Sequence, residues 1–199
     1  MKIIALSIVK ANSQGGDPWI LGTASDVKDF GYFQRATVKE MILFVSRLVG
    51  GRTPEGNKST LQHEEYLVHA YNKQGLVGVV LADKDYPERA AYSVINKILD
   101  DYERRMGDSW ALIHADCKES LPLLNDALRH YQDPMQADKI IKVQRQIDDV
   151  AEVAHKTINS LLDRGEKLEV LMDKSQDLSE NSKIYLKNAK KLNRCCVIL

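Results

Sequence analysis

Leu161-Leu162-Asp163-Arg164-Gly165-Glu166-Lys167-Leu168 lies in the last third of a 199-residue chain, and its reading decides what the rest must be. Leu161, Arg164 and Leu168 are separated by three and four residues, the spacing of side chains that face a partner helix. Extended toward the N-terminus, the alternation picks out Ile140, Val143, Ile147, Val150, Ala154 and Thr157. Toward the C-terminus it picks out Leu171, Ser175, Leu178, Ser182, Tyr185, Ala189 and Leu192. Twelve of the sixteen seam positions are apolar, three are Thr or Ser, and one is Arg164, with seven positions before it and eight after. A seam kept this long predicts a coiled coil. As one helix it would run on the order of 80 Å.

That helix is weak on its own. Gly165 costs about 1 kcal/mol relative to alanine in a helix, and Ser175, Ser182 and Ala189 bury little. The segment is therefore expected to be disordered or folded back when free, and to fold fully on meeting partner helices. A guanidinium in the seam loses hydration that only acceptors on facing helices can replace. The planar fork of Arg164 suits amide or carboxylate side chains at its own level. One buried polar residue fixes register at some cost in stability. An arginine reaching out of a frayed seam fits the spacing too.

Upstream, the pattern changes near residue 134. Ile3–Val9 and Trp19–Thr23 read as strands, as do Glu65–Tyr71 and Leu76–Leu81, joined tightly at Gln74-Gly75. Val38–Val49, Tyr86–Arg105 and Glu119–Tyr131 read as helices. The class is α+β, an antiparallel sheet between helices. In the first helix Val38, Met41, Ile42, Val45, Leu48 and Val49 form a stripe wide enough to cover a sheet. Leu43 and Phe44 fall off that stripe. They meet either a loop of the same domain or a partner helix or lipid in an outer groove. Asp133 before Pro134 is placed to cap a new helix.

With 44% hydrophobic and 28% charged residues and a formal net charge of +0, the composition gives no case for nucleic acid. No apolar run is long enough for a transmembrane helix. The apolar stretch after Lys2 is too short for a signal peptide. Five scattered histidines and the absence of a nucleophile motif point away from a metal site or an enzyme. Gly51 to Ser59 superficially resembles a phosphate loop. Asn57 separates Gly56 from Lys58, Pro54 stiffens the loop, and a helix rather than a strand precedes it.

The last residues are Cys195-Cys196-Val197-Ile198-Leu199. Cys196 and the three that follow fit a prenylation signal, and a terminal leucine favours geranylgeranyl over farnesyl. Cys195 is a candidate for palmitoylation or for a second prenyl group. A single chain anchors only marginally, so a second signal matters. Lys183, Lys187, Lys190, Lys191 and Arg194 occur with no acid among them. They suit an anionic bilayer and equally a solvated helix end.

The block around Arg164 is similar to the centre of the arginine-type SNARE motif. The upstream part resembles a longin domain, notably in Phe30-Gly31-Tyr32-Phe33-Gln34-Arg35, Asp83-Lys84-Asp85-Tyr86-Pro87 and Tyr131-Gln132-Asp133-Pro134. The whole chain thus resembles the lipid-anchored longin R-SNAREs. The resemblance implies a profilin-like domain at 1–131 with a five-stranded sheet, a linker at 132–137, the SNARE motif at 138–193 and a lipidated tail at 194–199. It implies Arg164 as the central ionic layer of a four-helix bundle with three glutamine-type SNAREs, and the other fifteen seam residues as hydrophobic layers. The SNARE segment is also expected to wrap its own longin domain when free, with Leu43 and Phe44 lining the groove that receives either it or the lipid. No cofactor is implied beyond covalent lipid. The implied location is the cytoplasm and the cytoplasmic face of Golgi, endoplasmic-reticulum-derived, endosomal or vacuolar membranes. A lipid-anchored coiled-coil scaffold without fusion activity is the alternative, and one polar residue at the centre of the seam speaks against it.

Overall fold

Alternation along the N-terminal strands sorts side chains between the two faces of one sheet. The computed structural model describes residues 1–12, 15–63, 65–117, 121–137, 139, 153–163 and 165–195. Ile3–Lys10 (β1) pairs antiparallel with Trp19–Ser25 (β2) on one side and with Leu76–Asp83 (β5) on the other. Tyr66–Lys73 (β4) joins β5, and Lys58–His63 (β3) joins β4. The hairpin between β4 and β5 turns at Gln74 and Gly75, whose φ of 53° and 89° are the pair a two-residue turn with the strands' own twist demands.

Arg35–Arg52 (α1) covers one face of the sheet, while Glu88–Met106 (α2) and Pro122–His130 (α3) cover the other. Val77 and Val79 of β5 pack with Val9, Ile20, Val45 and Val49 beneath α1. Leu76, Val80 and Ala82 point the other way, to Leu6, Ile8, Ile95, Ile98 and Leu99. Between them Gly78 lets α2 close on β5: a Cβ there would lie 2.6 Å from Ile95 Cγ2.

Residues 132–137 are packed on this domain. The Gln132 side chain brackets Ile3, accepting from its N–H at 3.1 Å and donating to its carbonyl at 2.8 Å. Asp133 caps the following turn through the Met135 N–H at 3.0 Å, and Ala137 is fully buried.

The expected sheet of five strands has a sixth. Val153–Thr157 (β6), from the C-terminal segment, runs parallel to β3, with Thr60 opposite His155. An edge strand offers a row of unpaired N–H and C=O groups, and a nearby extended chain satisfies them. In the folded-back form Ala154 and Thr157 lie on this strand, and Thr157 then caps Ile158–Leu161 (α4) by a reciprocal box with Ser160. Beyond α4 come Leu168–Lys174 (α5) and Glu180–Cys195 (α6). The described part of the seam is thus folded back over the domain in short pieces. It turns at Gly165, whose φ of +90° favours glycine, and again at 175–179.

Candidate functional site

The outer side of α1 receives the folded-back segment, and α6 lies antiparallel to it. The register is read in three polar contacts. Gln34 Nε2 donates to the Tyr185 hydroxyl at 2.8 Å, and Ser182 Oγ donates to Thr37 Oγ1 at 3.0 Å. Glu40 Oε2 accepts from both the backbone N–H and the hydroxyl of Ser179, at 2.8 and 2.9 Å. Ser179 precedes α6, so a carboxylate from another helix sits where the orphan amides and dipole of α6 favour negative charge. Burial alone would raise the Glu40 pKa; hydrogen bonds from Ser179 and Ser182 outweigh it and hold the carboxyl below its ordinary range.

Arg47, one turn past Phe44, ties down the turn between α5 and α6. Its Nε and Nη2 meet both oxygens of Asp177 at 2.8 and 2.9 Å. Nη2 also reaches Asp116 at 2.7 Å, and Nη1 reaches the Pro18 carbonyl. The hydrogen bonds to Asp177 raise the guanidinium's pKa further above its already high value, against burial and with help from Asp116. Arg52 holds the preceding turn, through the Leu161 carbonyl at 3.0 Å and Glu166 at 2.7 Å.

Between these polar ends the contact is apolar. Leu161 and Leu178 are buried with Phe44, Val45 and Val49 in the cluster beneath α1, and Leu43, Leu168, Leu171, Met172 and Leu186 pack around it. Leu43 and Phe44 belong to the same apolar cluster as Leu161 and Leu178. Of the seam residues, Leu161, Leu178 and Ser182 are buried, Leu168, Leu171 and Ser175 are half-buried, and Ala154, Thr157 and Tyr185 are exposed. Ile140, Val143, Ile147, Val150, Arg164 and Cys196 lie outside the described residues. For Ala189, Leu192 and Cys195 the description covers only the helical backbone of α6.

At the other docking edge, Thr60 Oγ1 stands 3.0 Å from His69 Nδ1, 2.9 Å from the Tyr92 hydroxyl and 3.1 Å from Glu88 Oε2. The set closes when Thr60 donates to Glu88 and accepts from Tyr92 and from an Nδ1-protonated His69. His69 is fully buried, its Nε2 has no partner among the described residues, and burial draws its pKa down to about 4. His155 of β6 approaches the same Glu88 at 3.8 Å.

Sequence reading missed the polar face of α1. Gln34, Thr37, Glu40 and Arg47 recur with Phe44 at helical spacing, and that signal was available. It also missed β3 and β6, whose pairing no local pattern encodes.

No described helix is long and apolar enough to cross a membrane. An α+β domain bearing a folded-back coiled-coil segment defines a class, the regulated SNARE. The regulated-SNARE-like, or longin, domain family matches residues 27–118, and the synaptobrevin family matches residues 139–198. The VAMP-like protein YKT61 of Arabidopsis thaliana is 49% identical over all 199 residues and over its own full length. The synaptobrevin homologs YKT6 of Yarrowia lipolytica and Saccharomyces cerevisiae are 39% and 38% identical, each over the whole of both chains. The chain belongs to the synaptobrevin family as a longin-domain R-SNARE of the YKT6 kind. It is a non-enzymatic trafficking protein that needs no cofactor and works by entering SNARE complexes.

Proposed function

We propose that residues 138–193 zip with three glutamine-type SNARE helices into a four-helix bundle that drives vesicle–target fusion, and that the longin domain withholds the same segment until partners arrive. Arg164 is the polar layer of that bundle and meets the three glutamines. Cys196 carries a prenyl group and Cys195 a palmitoyl thioester, whose hydrolysis makes attachment reversible; a second prenyl thioether on Cys195 is the alternative and would make it lasting. Traffic among endoplasmic reticulum, Golgi, endosome and vacuole is the setting this reading favours.

One observation carries the proposal: Leu161, Leu178 and Ser182, three seam positions, are buried against α1 and its neighbours. A seam cannot face a longin domain and three helices at once, so docking and assembly exclude each other. The apolar groups buried in either state contribute roughly 25 cal/mol per Å². A modest preference for the bundle then suffices to open the closed form.

The test mixes the full chain with candidate glutamine-type SNAREs and follows formation of a complex resistant to dodecyl sulfate. The complex should form cooperatively, and Arg164→Leu should weaken its choice of register. Absence of any complex across the candidates would leave only a tethering role.

A further inference from the structure

The two strands at the β3–β6 edge are unequally committed to each other. On β3, Lys58, Ser59, Thr60 and Leu61 are all buried. On β6, Val153 and Lys156 are half-buried, while Ala154, His155 and Thr157 are exposed. β6 is therefore held by its main chain and by the packing of Val153 against the core beneath α2. The receiving surface is built by the domain itself. Thr60 bonds to His69, Tyr92 and Glu88, and Lys58 lies over the rings of Tyr71 and Tyr92.

One group on that surface is left unmet. Ser59 is 2% exposed, and its Oγ has no hydrogen-bond partner among the described residues. The residue facing it across the ladder is Ala154, whose side chain offers no polar atom. A buried hydroxyl left alone is destabilising, and a hydroxyl on the facing residue closes a cross-strand pair with it. At the next position the domain presents charge: Glu88, a carboxylate only partly exposed, lies 3.8 Å from His155. β6 thus satisfies the main chain of β3 and leaves one of its side chains wanting.

We propose that the edge of β3 is a docking site for an extended segment of another protein, taken up when β6 leaves the sheet. The segment runs parallel to β3. It carries an aliphatic residue opposite Lys58, a serine or threonine opposite Ser59, and a basic residue opposite Thr60. The first packs where Val153 does, the second meets Ser59 Oγ, and the third faces Glu88. Strand addition draws affinity from main-chain hydrogen bonds and specificity from alternate side chains, and a bare edge invites a strand. The proposal rests on the reading that residues 153–157 wind into the SNARE bundle. The edge is then vacant for as long as the bundle lasts, and the strand site becomes a mark of the assembled state.

The test needs no SNARE partner, so its failure is distinct from a failure of the bundle. Full-length Val153→Asp/Ala154→Pro frees the edge, because aspartate abandons the apolar contact and proline removes a ladder donor. Hydrogen exchange of β5 confirms an intact domain. Peptides spanning 151–159 are titrated into this host in the natural sequence, with Ala154→Thr, and with Ala154→Thr/His155→Glu. The β3 amides are followed by NMR. The Ala154→Thr peptide should shift the amides of 58–62 and bind about threefold more tightly than the natural one. Ser59→Ala in the host should erase that difference, and Glu88→Lys should reverse the preference between histidine and glutamate. No shift at β3 with any peptide overturns the site. Equal binding of the natural and Ala154→Thr peptides overturns the partner chemistry drawn from Ser59. A host that dimerises by light scattering, with its β3 amides protected, shows that the edge takes a second copy instead, which also overturns the proposal.

Discussion

Asp177→Ala should open the folded-back segment without touching the bundle. Asp177 lies between the seam positions Ser175 and Leu178, so its loss leaves every proposed layer intact. In the closed form its side chain is 9% exposed, and it receives two hydrogen bonds from an Arg47 that is itself 17% exposed. Arg47 keeps Asp116 and the Pro18 carbonyl in the variant, so no guanidinium is stranded. The loss is therefore that of a charged, two-pronged hydrogen bond, about 2 kcal/mol. That free energy corresponds to about a 30-fold larger opening constant. Hydrogen exchange of amides in α5 and α6 reads the opening directly, with β5 amides as the internal reference. SNARE-complex formation should speed up in parallel while the melting of the finished complex stays put. A rise of less than about threefold in α5 and α6 would refute the reasoning. So would an equal rise in β5, because the effect would then be global.

Two further perturbations probe the other contacts. Phe44→Glu places a carboxylate at a site only 8% exposed, beside Leu161 and Leu178. It should destabilise docking by roughly 3 kcal/mol, seen as protease cleavage within 158–180; retained protection would remove Phe44 from the docking contact. His69 provides a pH test. Its folded-state pKa of about 4 lies below the ordinary 6.5, so the unfolded chain takes up a proton that the fold refuses. Stability is therefore full above pH 6.5 and falls as pH drops toward 4, by up to about 3 kcal/mol. Calorimetry across that range should show the slope in wild type and a flatter profile in His69→Asn, whose amide can still donate to Thr60; parallel profiles would contradict the assignment.

The seam, the sheet-facing stripe of α1 and the hairpin at Gln74-Gly75 were legible because each is a local spacing. The anomaly of Leu43 and Phe44 was legible too, as side chains without an obvious cover. What covers them was not legible from spacing alone, because Leu161 and Leu178 lie over a hundred residues away and their periodicity points equally well to a foreign helix; only the family resemblance pointed to the chain's own segment. β6 was hidden for a stronger reason. Val153–Thr157 carries seam positions at helical spacing, and only the open edge of β3 draws it into a strand. Likewise Glu40 reads as an ordinary surface acid until Ser179 is brought to it by the fold.

That strand gives the molecule a mechanical property. Five residues extended along β3 span about 16 Å, whereas the same five wound into the proposed bundle span about 8 Å. Leaving the sheet therefore shortens this stretch of chain by about half, while the tail beyond α6 is held at a bilayer in the proposed anchored state. In that proposed state the recoil of β6 would draw the anchored end toward the domain through the change of secondary structure itself.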